Sequence, residues 1–594
     1  LASCIGTGIV ASSQSIDVYS TIYSVGLDSY FVLGTDSDHD ATGTLEYRET
    51  GTSVWEQSLP MKRVDHQSLT NTVNPAPTVR YNMLSGSIFF LQPNKDYEVK
   101  VQVNDPDGCS QTNITTIRTL PIPSYVPART FHVHSSTTNG DGSANTPYTL
   151  AQAIGIAQPG DEFLLHVGIY NGTPIFNKAG TSNAYIVWKG AGDGEVLFRN
   201  CGTGTCLNPA LIVRGDYQWF EGLTFRDQHA GELDASPGTF VSDTTSRYVV
   251  VTKSRFLNTK YGIYASNRGS VGWYIADNDF VGINIDPSGT QGLVASDFTD
   301  GQAIVLWFNG GSTIAHNNFS LSADAVSYPG KNTDIFNNEI YDMGDDAVES
   351  DYSYQNVRIW GNRITNTGSH VFSFQHQNMG PWYHIRNQVE GFGANLLKLK
   401  CNNVIPEDNF YIHNTFMGWD DFGVADGNCN QYYVRSYARN NIFVSIRGTN
   451  GLSAYSSPGS TTWQSDINYD AFNNSLSSLL GSNEIRINQN CLAGNYNLVY
   501  DTPYHNSQID DPNGSPFRSH PLQYWDLNTG CPAIDSGAVL SNINNPYVTD
   551  GSPDRGAHEY GRPLPKYGPR NLIIPQPSCI LTNAYWNTTN VVNN

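Results

Sequence analysis

The chain has 594 residues, which is enough for two or more hydrophobic cores. Its 54 acidic and 33 basic side chains give a formal net charge of −21, so nucleic acid and anionic membranes are not expected as partners. A polyanionic sugar would also be repelled unless a cation such as calcium intervenes. Since the sequence has no run of 18 or more apolar residues, it predicts no membrane-spanning helix.

Residues 1–122 contain short alternating apolar runs separated by Asp, Gly and Pro turns, a pattern that predicts a small β-sandwich. The chain starts at Leu1 and not at a methionine, which is typical of a processed terminus. The spacing Leu91-x-Pro93-x-x-x-Tyr97 resembles the late strands of a fibronectin type III domain, in which the tyrosine makes a corner hydrogen bond. We expect Trp55 in the core of this domain. The resemblance implies a spacer or binding module.

A proline-rich linker, residues 123–130, is expected to be stiff. The next domain, residues 131–560, begins with a strand, and helical apolar spacing follows over residues 149–154. A short helix at this place would shield the first strands of the domain from edge pairing. Insertions at 228–245 and 282–300 interrupt the domain, and long loops on one face of a repeating fold commonly form a contact surface.

A loose repeat dominates this domain: an asparagine stands two residues before a large apolar residue, and from the second copy onward the copies are 21 to 27 residues apart. Such a period, with strand-like alternation inside each unit, marks a solenoid whose units bury their apolar faces against one another. Asparagine tolerates the left-handed conformation of a tight bend, and stacked copies can form a hydrogen-bonded ladder. The pattern predicts an all-β fold, a parallel β-helix of roughly ten or more coils. The repeated residues are Asn278, Asn317, Asn338, Asn362, Asn387, Asn414 and Asn441.

The ladder, the Gly-Asp-Asp-Ala-Val segment at 344–348 and the closing segments at 531–537 and 554–560 resemble the right-handed parallel β-helix proteins of the pectate-lyase-like superfamily. The resemblance covers about residues 128–561 and implies a right-handed β-helix after the fibronectin III-like sandwich. It does not imply a reaction, because this fold carries lyases, hydrolases, epimerases, adhesins and phage spikes.

The densest group of ionisable residues is Asp345, Asp346, Glu349 and Asp351, with Asp342 just before them. Paired carboxylates could serve as general acid and base on a glycosidic bond. The same four residues could instead bind calcium through oxygen ligands, the cofactor that the sequence favours if there is one. A third interpretation is turn chemistry alone.

Two further signatures of the polygalacturonase-like hydrolases of this fold are missing. Those enzymes carry an Asp-Asp pair, and their Gly-His-Gly and Arg-Ile-Lys motifs lie on later coils. This chain offers Ser369-His370-Val371 and Arg358-Ile359-Trp360 at the comparable places. The specific transfer of that active site therefore fails.

A polysaccharide lyase would need a base, and Lys398 and Lys400 are candidates because period-2 alternation places both on one face of a strand. Each also has a structural alternative, since solvated lysines and turn-capping histidines are common. The other candidates for the base are His370, His376 and His384. Trp382 and Tyr383 could stack on a sugar ring, and with His376 they form the predicted substrate-binding set.

The nine cysteines indicate an oxidising compartment, and we therefore predict an extracellular or cell-surface location. Sequence does not fix their connectivity; the close or coil-spaced pairs are Cys201 with Cys206, Cys401 with Cys429, and Cys491 with Cys531. The ninth cysteine points to an intermolecular bridge, through Cys4 or Cys579, or to a free thiol. Six glycosylation sequons occur, although chance explains them as well in a chain rich in Asn and Thr: Asn113, Asn171, Asn318, Asn473, Asn513 and Asn587.

Residues 561–594 form a proline-rich tail, for which we expect an extended conformation held by the body of the fold or by a neighbouring subunit. The missing hydrolase signatures, the odd cysteine and this tail favour an extracellular assembly protein that self-associates into a surface fibre. The alternatives are a secreted polysaccharide-active enzyme, lyase or hydrolase, and a carbohydrate-binding adhesin. The sequence thus leans away from an enzyme.

Overall fold

The computed structural model describes residues 10–64 without 12, 82–136, 139–201, 208–227, 238–265, 269–283, 301–375 without 308 and 352, 380–392, 396–400, 409–418, 424–425, 436–445, 465–473, 481–494, 525–548 without 545, and 551–570. Across these ranges no helix has the length and apolar character needed to span a membrane.

The N-terminal domain consists of two four-stranded antiparallel sheets with strand orders β1-β2-β6-β5 and β4-β3-β7-β8. Apolar residues from both sheets form one core between them. The backbone N–H of Gln92 donates a hydrogen bond to the Tyr97 hydroxyl over 3.0 Å, which is the expected corner contact. The assignment to the fibronectin III type stays a prediction. The strands are β1 (Ser13–Ser20), β2 (Val25–Phe31), β3 (Thr42–Glu49), β4 (Glu56–Gln57), β5 (Lys62–Val64), β6 (Met83–Ile88), β7 (Asp96–Asp105) and β8 (Cys109–Arg118).

Trp55 does not belong to this core. Its ring lies 4.4 Å from the guanidinium carbon of Arg48 and 4.5 Å from Nζ of Lys100, two side chains on the outer face of the sheet. The prediction of a core tryptophan is wrong, because Trp55 directly precedes the short edge strand β4 and so covers the charged outer face and not the interior.

The second domain is a parallel β-helix of three long sheets. Successive strands pair in parallel, for example β10 with β13 and β11 with β14, so each coil adds one strand to each sheet. Sheet I contains β9 (Arg129–Val133), β10 (Asp161–Leu165), β13 (Ile186–Gly190), β16 (Gln218–Glu221), β19 (Val250–Thr252), β22 (Tyr274–Ala276), β25 (Thr313–Ala315), β28 (Asp334–Phe336), β31 (Val357–Trp360), β34 (Trp382–Ile385), β37 (Asn409–Ile412), β40 (Tyr437–Arg439) and β42 (Asp466–Asn468).

The other two sheets complete each coil. Sheet II contains β11 (Gly168–Asn171), β14 (Val196–Arg199), β17 (Thr224–Arg226), β20 (Arg255–Leu257), β23 (Asp279–Val281), β26 (Asn318–Ser320), β29 (Glu339–Met343), β32 (Arg363–Thr367), β35 (Gln388–Phe392), β38 (Thr415–Gly418), β41 (Ile442–Ser445), β43 (Ala471–Phe472) and β44 (Ile485–Arg486). Sheet III contains β12 (Ile175–Phe176), β15 (Leu211–Val213), β18 (Phe240–Ser242), β21 (Ile263–Ala265), β24 (Gln302–Val305), β27 (Asp324–Ser327), β30 (Val348–Glu349), β33 (Phe372–Gln375), β36 (Leu397–Lys400) and β39 (Val424–Ala425).

A short helix, α1 (Leu150–Ile156), lies at the N-terminal end of the β-helix, where the helical spacing predicts it. Thr149 and Gln152 form a reciprocal capping box that satisfies free N–H groups of the first turn. Leu150 and Ile154 pack against the interior of the first coils. The helix therefore covers the apolar end of the solenoid.

The asparagine ladder is confirmed. Each Nδ2 from Asn278 to Asn414 donates to the Oδ1 of the next rung over 2.9–3.1 Å, and every rung is buried. The apolar residues two positions later stack inside sheet II, from Phe280 on Phe319 to Phe416 on Phe443. The left-handed conformation, however, belongs to the residue before each rung and not to the asparagine. These residues, with φ between 53° and 62°, are Asp277, His316, Asn337, Gly361, Arg386, His413 and Asn440.

The ladder ends in a carboxyl group. The backbone N–H and Nδ2 of Asn441 donate to Oδ1 of the buried Asp470 over 2.7 and 2.9 Å. Burial raises the pKa of Asp470 to about 7, although the hydrogen bonds from Asn441 act in the opposite direction. Because the folded protein binds this proton more tightly than the unfolded chain does, Asp470 lowers stability progressively as the pH rises from about 4 to about 7.

Replacing Asp470 with asparagine is therefore expected to raise the urea concentration at the unfolding midpoint at pH 8, because an amide accepts the same two hydrogen bonds without a buried charge. The gain should vanish near pH 4, and urea unfolding at both pH values measures it. Asp466→Asn, an exposed carboxyl in the same coil paired with Arg439, is the matched control. A lower midpoint for Asp470→Asn at pH 8 would contradict the expectation.

The sandwich packs against the outer face of sheet I. Arg358, which is completely buried, donates to Asp334 over 2.5 Å, to Ser87 of the sandwich over 3.0 Å and to Asn332 over 2.6 Å. The rings of Phe89 and Tyr383 meet edge to face 4.9 Å apart. Sheet I is therefore covered on its outer side in this region.

Among the described residues, the last strand of the parallel coils is β44, well before residue 560. A 3-10 turn (Gln489–Cys491) and the antiparallel pair β45 (Leu492–Ala493) and β46 (Asp526–Leu527) follow. Residues 533–570, which we call the C-terminal strap, then run back along the turns between sheets I and II. The strap contacts Asn440 through Ala538, Thr415 through Ala557, Arg386 through Glu559, Asn337 through Gly568 and Asp277 through Arg570. Residues 567–570 of the predicted tail thus pack on their own chain, whereas residues 561–564 are exposed and residues 571–594 lie outside the described part.

Candidate active site

The acidic residues singled out from the sequence lie on the outer face of sheet III. In β30, β33 and β36 the residues Val348, Phe372 and Leu397 point into the core. Their neighbours Glu349, Ser373 and Lys398 are therefore outward and in register with one another from strand to strand. The turn before β30, which contains Asp345 and Asp346, opens onto the same face.

Lys398 brings the two aspartates of this turn together. Its Nζ lies 3.2 Å from Oδ2 of Asp346 and 3.9 Å from Oδ2 of Asp345. Asp346 is almost fully buried, with 1 % of its side chain exposed, whereas Asp345 and Lys398 expose 21 % and 22 %. Asp346 therefore forms the floor of the site, and Asp345 and Lys398 form its mouth.

Neighbouring coils supply two more groups to Asp346. The backbone N–H of His370 donates to Oδ1 of Asp346 over 3.0 Å, and the His370 ring Nδ1 lies 3.3 Å from the same oxygen. The backbone N–H of Asp346 in turn donates to Oδ1 of Asp324 over 3.0 Å. We call Asp324, Asp345, Asp346, Glu349, His370 and Lys398 the sheet III cluster.

The environments of the two adjacent aspartates drive their pKa values apart. Burial and the neighbouring Asp346 carboxylate raise the pKa of Asp345 to about 6. Burial also opposes ionisation of Asp346, yet the hydrogen bond from His370 and the charge of Lys398 outweigh it and lower its pKa to about 2. At mildly acidic pH the pair therefore holds one protonated carboxyl, Asp345, beside one carboxylate, Asp346.

The pKa values of two more carboxyl groups and of the lysine of the cluster are also shifted. Burial and the charges of neighbouring carboxylates raise the pKa of Glu349 and of Asp324 well above their usual range. Glu349 Oε2 is buried and has no hydrogen-bond partner among the described residues. Burial disfavours the Lys398 cation, but Asp346 and Asp345 outweigh it and raise the lysine pKa.

The structure brings together Asp345, Asp346 and Lys398 of the predicted catalytic set, with Glu349 on the same face. Asp351 is buried and accepts a hydrogen bond from the Ser373 hydroxyl over 3.0 Å. Lys400 ends β36, but its side chain is outside the described part, as is all of His376. Donor atoms of Asp345, Asp346 and His370 lie within 4.8 Å of one another and are the group here that could hold a metal ion.

The aromatic residues predicted to stack on sugar lie elsewhere. Trp382 is fully buried in the core of the β-helix, and Tyr383 is fully buried under Phe89 of the sandwich. That prediction is wrong for both residues. Trp382 points into the β-helix, and Tyr383 points outward from sheet I, whose outer face the sandwich covers. His384 is also enclosed in the interior, and burial lowers its pKa to about 3.

Asp324 belongs to the cluster but was not predicted from the sequence. The signal was present as a repeat, since Asp324-Ala325-Val326 recurs as Asp346-Ala347-Val348 one coil later. Their register in sheet III, in which Val326 pairs with Val348, follows from that repetition.

The structure describes some of the predicted disulfide and glycosylation sites. Cys491 and Cys531 form a disulfide with Cα atoms 4.9 Å apart. Cys201 is disulfide-bonded, while Cys206, Cys401 and Cys429 lie outside the described residues. Of the sequons, Asn171 is exposed, Asn318 donates through Nδ2 to Asp279 over 2.9 Å, Asn113 and Asn473 are half-buried, and Asn513 and Asn587 are not described.

Comparison with known proteins agrees with the architecture. No curated protein matches the chain. A pectate lyase structure, Pel9A, shares 17 % identity over 73 % of this chain and 97 % of that chain, with a TM-score of 0.40. A family 28 exopolygalacturonase of Yersinia enterocolitica shares 11 % identity over 80 % of this chain and 98 % of that chain, with a TM-score of 0.38. The family described as "Right handed beta helix region" matches residues 238–388, and with the three parallel sheets this match identifies the body of the chain as a right-handed parallel β-helix.

Proposed function

We propose that this protein is a polysaccharide-active enzyme that hydrolyses glycosidic bonds at the sheet III cluster, with Asp345 as the general acid. The observation that carries the proposal is the pair of adjacent carboxyl groups whose pKa values are about 6 and about 2. Glycoside hydrolysis needs one carboxylic acid and one carboxylate beside the same bond, and a pair with divergent pKa values supplies them.

In the proposed reaction, Asp345 donates its proton to the glycosidic oxygen as the bond from that oxygen to the anomeric carbon breaks. The Asp346 carboxylate stabilises the positive charge that develops on the sugar ring. Water then adds to the anomeric carbon and gives its released proton to the Asp345 carboxylate, which restores the acid. His370 and Lys398 hold Asp346 ionised, and the resulting negative charge keeps Asp345 protonated at mildly acidic pH.

Elimination, the lyase alternative, is less well supported. A lyase base must be unprotonated to remove the proton beside a uronate carboxylate. Lys398 is the basic residue nearest to both aspartates, and these raise its pKa, so that it stays protonated near neutral pH. The charge state of Lys398 therefore favours hydrolysis over elimination.

The assembly hypothesis loses part of its basis. It rested in part on a tail available for donation to a neighbouring subunit, but within this tail Gly568 and Arg570 bond to their own β-helix, Arg570 to Asp277 over 2.6 Å. We therefore favour a polysaccharide-active enzyme over the assembly protein that the sequence favoured. An extracellular location remains part of the proposal, and the Cys491–Cys531 disulfide supports an oxidising compartment.

Incubation with soluble xylan, mannan, polygalacturonate and alginate tests the proposal. We expect new reducing ends with at least one polymer, without the ultraviolet absorbance of unsaturated uronates. Unsaturated products would show a lyase. Regular fibres seen by electron microscopy, together with no cleavage of any polymer, would restore the assembly hypothesis.

Removal of divalent cations is expected to leave hydrolysis unchanged. The Lys398 ammonium, 3.2 Å from Asp346 and 3.9 Å from Asp345, supplies the positive charge that calcium would bring and would repel a cation at the same place. The measurement is the rate of reducing-end formation with EGTA and with calcium-saturated EGTA as the control. A loss that only added calcium reverses would contradict this assignment and support the calcium site predicted from the sequence.

A further inference from the structure

A group of aromatic side chains lies on the same outer face of sheet III as the cluster. Tyr264 points outward from β21, since its neighbours Ile263 and Ala265 belong to the core. The rings of Trp307 and Tyr328 lie 4.4 Å apart with an angle of 31° between their planes. Tyr264, Trp307 and Tyr328 are all half-buried, and we call these three residues the aromatic patch.

Strand register relates the patch to the acid pair. Tyr264 pairs with Val305, Val305 pairs with Ser327, and Ser327 pairs with Glu349 of the cluster. Trp307 follows Val305 by two residues, and Tyr328 follows Ser327 directly. Because adjacent strands are about 4.8 Å apart, the patch begins one coil from Glu349 and ends about 15 Å from it along the helix axis.

The rings of the patch are held in place by contacts among themselves. A side-chain hydrogen bond joins Trp307 to Tyr264, and the indole of Trp307 rests against the ring of Tyr328. Rings fixed in this way lose little conformational freedom when a ligand packs on them. A half-exposed aromatic ring offers an apolar surface, which suits the C–H face of a pyranose, and the tyrosine hydroxyls suit its hydroxyl groups.

We infer that the aromatic patch is a stacking subsite for a sugar unit of the polysaccharide, displaced along the helix axis from the bond that Asp345 cleaves. The inference rests on the proposed function and extends it, because it assigns a direction to the bound chain. Substrates long enough to reach from the cluster to the patch gain affinity, whereas shorter ones do not. The aromatic patch takes the sugar-stacking role that the sequence predicted for Trp382 and Tyr383, which are buried.

Affinity electrophoresis of the full chain in gels containing xylan, mannan, polygalacturonate or alginate tests this subsite. We expect Trp307→Ala to lose the retardation of the wild type, and its KM for the polymer to rise about tenfold with kcat nearly unchanged. Trp307→Phe should restore most of the retardation. Tyr248→Ala is the matched control, because Tyr248 stacks on Tyr217 at 4.8 Å in the turns before sheet I strands.

The outcomes separate the subsite from the reaction. Retardation of the wild type without turnover, lost in Trp307→Ala, would support the subsite and overturn the hydrolase. Turnover with equal KM and equal retardation for the wild type and Trp307→Ala would overturn the subsite alone, as would no retardation of the wild type by any polymer. If Trp307→Ala fails to fold by circular dichroism, Tyr328→Ala carries the same test.

Discussion

Replacing Asp345 with asparagine is expected to lower kcat/KM on the substrate polysaccharide by about 10²- to 10⁴-fold, because the amide has no acidic proton for the leaving oxygen. The wild-type rate should fall as the pH rises through about 6, where Asp345 loses its proton. It should not fall at mildly acidic pH for lack of the carboxylate, since the pKa of Asp346 is about 2. The measurement is reducing-end formation by both proteins between about pH 4 and pH 8.

Asp342→Asn is the matched control for this experiment. Burial raises the pKa of Asp342 to about 6 as well, but this carboxyl lies in β29 of sheet II and accepts a hydrogen bond from Asn366 over 2.7 Å. Its replacement should leave both the rate and the pH profile close to those of the wild type. If Asp345→Asn keeps the alkaline loss of activity that the wild type shows, another group is the acid.

Features that repeat with the coil could be predicted from the sequence. The asparagine rungs and the stack from Phe280 to Phe443 are set by one local pattern, which each coil satisfies against the next. Alternation within β36 likewise places Leu397 inside and Lys398 outside. These predictions succeed because the interactions join the same position of adjacent coils.

Features that depend on distant contacts could not be predicted. Tyr383 is hidden by Phe89 of the sandwich, and the same interface joins Arg358 to Ser87 across 271 residues of sequence. No local sequence pattern indicates that contact. Tyr383 was therefore predicted to be available for stacking on a sugar ring. The sequence likewise left open whether the body of the fold or a neighbouring subunit holds the tail, because the partner of Arg570, Asp277, is 293 residues away.

The candidate site could be predicted only in part, because some of its contacts join residues that are distant in sequence. Asp345 and Asp346 are adjacent in sequence, but His370 reaches Asp346 across 24 residues, and Asp324 does so across 22. Because the coils differ in length, sequence spacing alone does not show which residues of neighbouring coils face one another. The sequence therefore offered His370 only as one of three histidines that could be the base, whereas the register places it beside the aspartate pair.

Replacing Asn362 with alanine should lower the free energy of unfolding by about 3 kcal/mol or more, because it leaves buried polar groups unsatisfied on both sides of one rung. Oδ1 of Asn362 accepts from the backbone N–H and from Nδ2 of Asn338, both over 3.0 Å. Its Nδ2 donates to the Ile335 carbonyl over 2.9 Å and to Asn387 over 3.0 Å. Urea unfolding followed by intrinsic fluorescence measures the loss.

Asn318→Ala is the control, because Asn318 follows a rung directly but is only partly buried on the outside of sheet II, where Nδ2 donates to Asp279. We expect this change to cost less than about 1 kcal/mol. Equal losses for the two variants would mean that the ladder stabilises the coil no more than one outward amide does. A larger loss for Asn362→Ala would show that the rungs hold neighbouring coils in register, and the register of sheet III is what places His370 and Lys398 against Asp346.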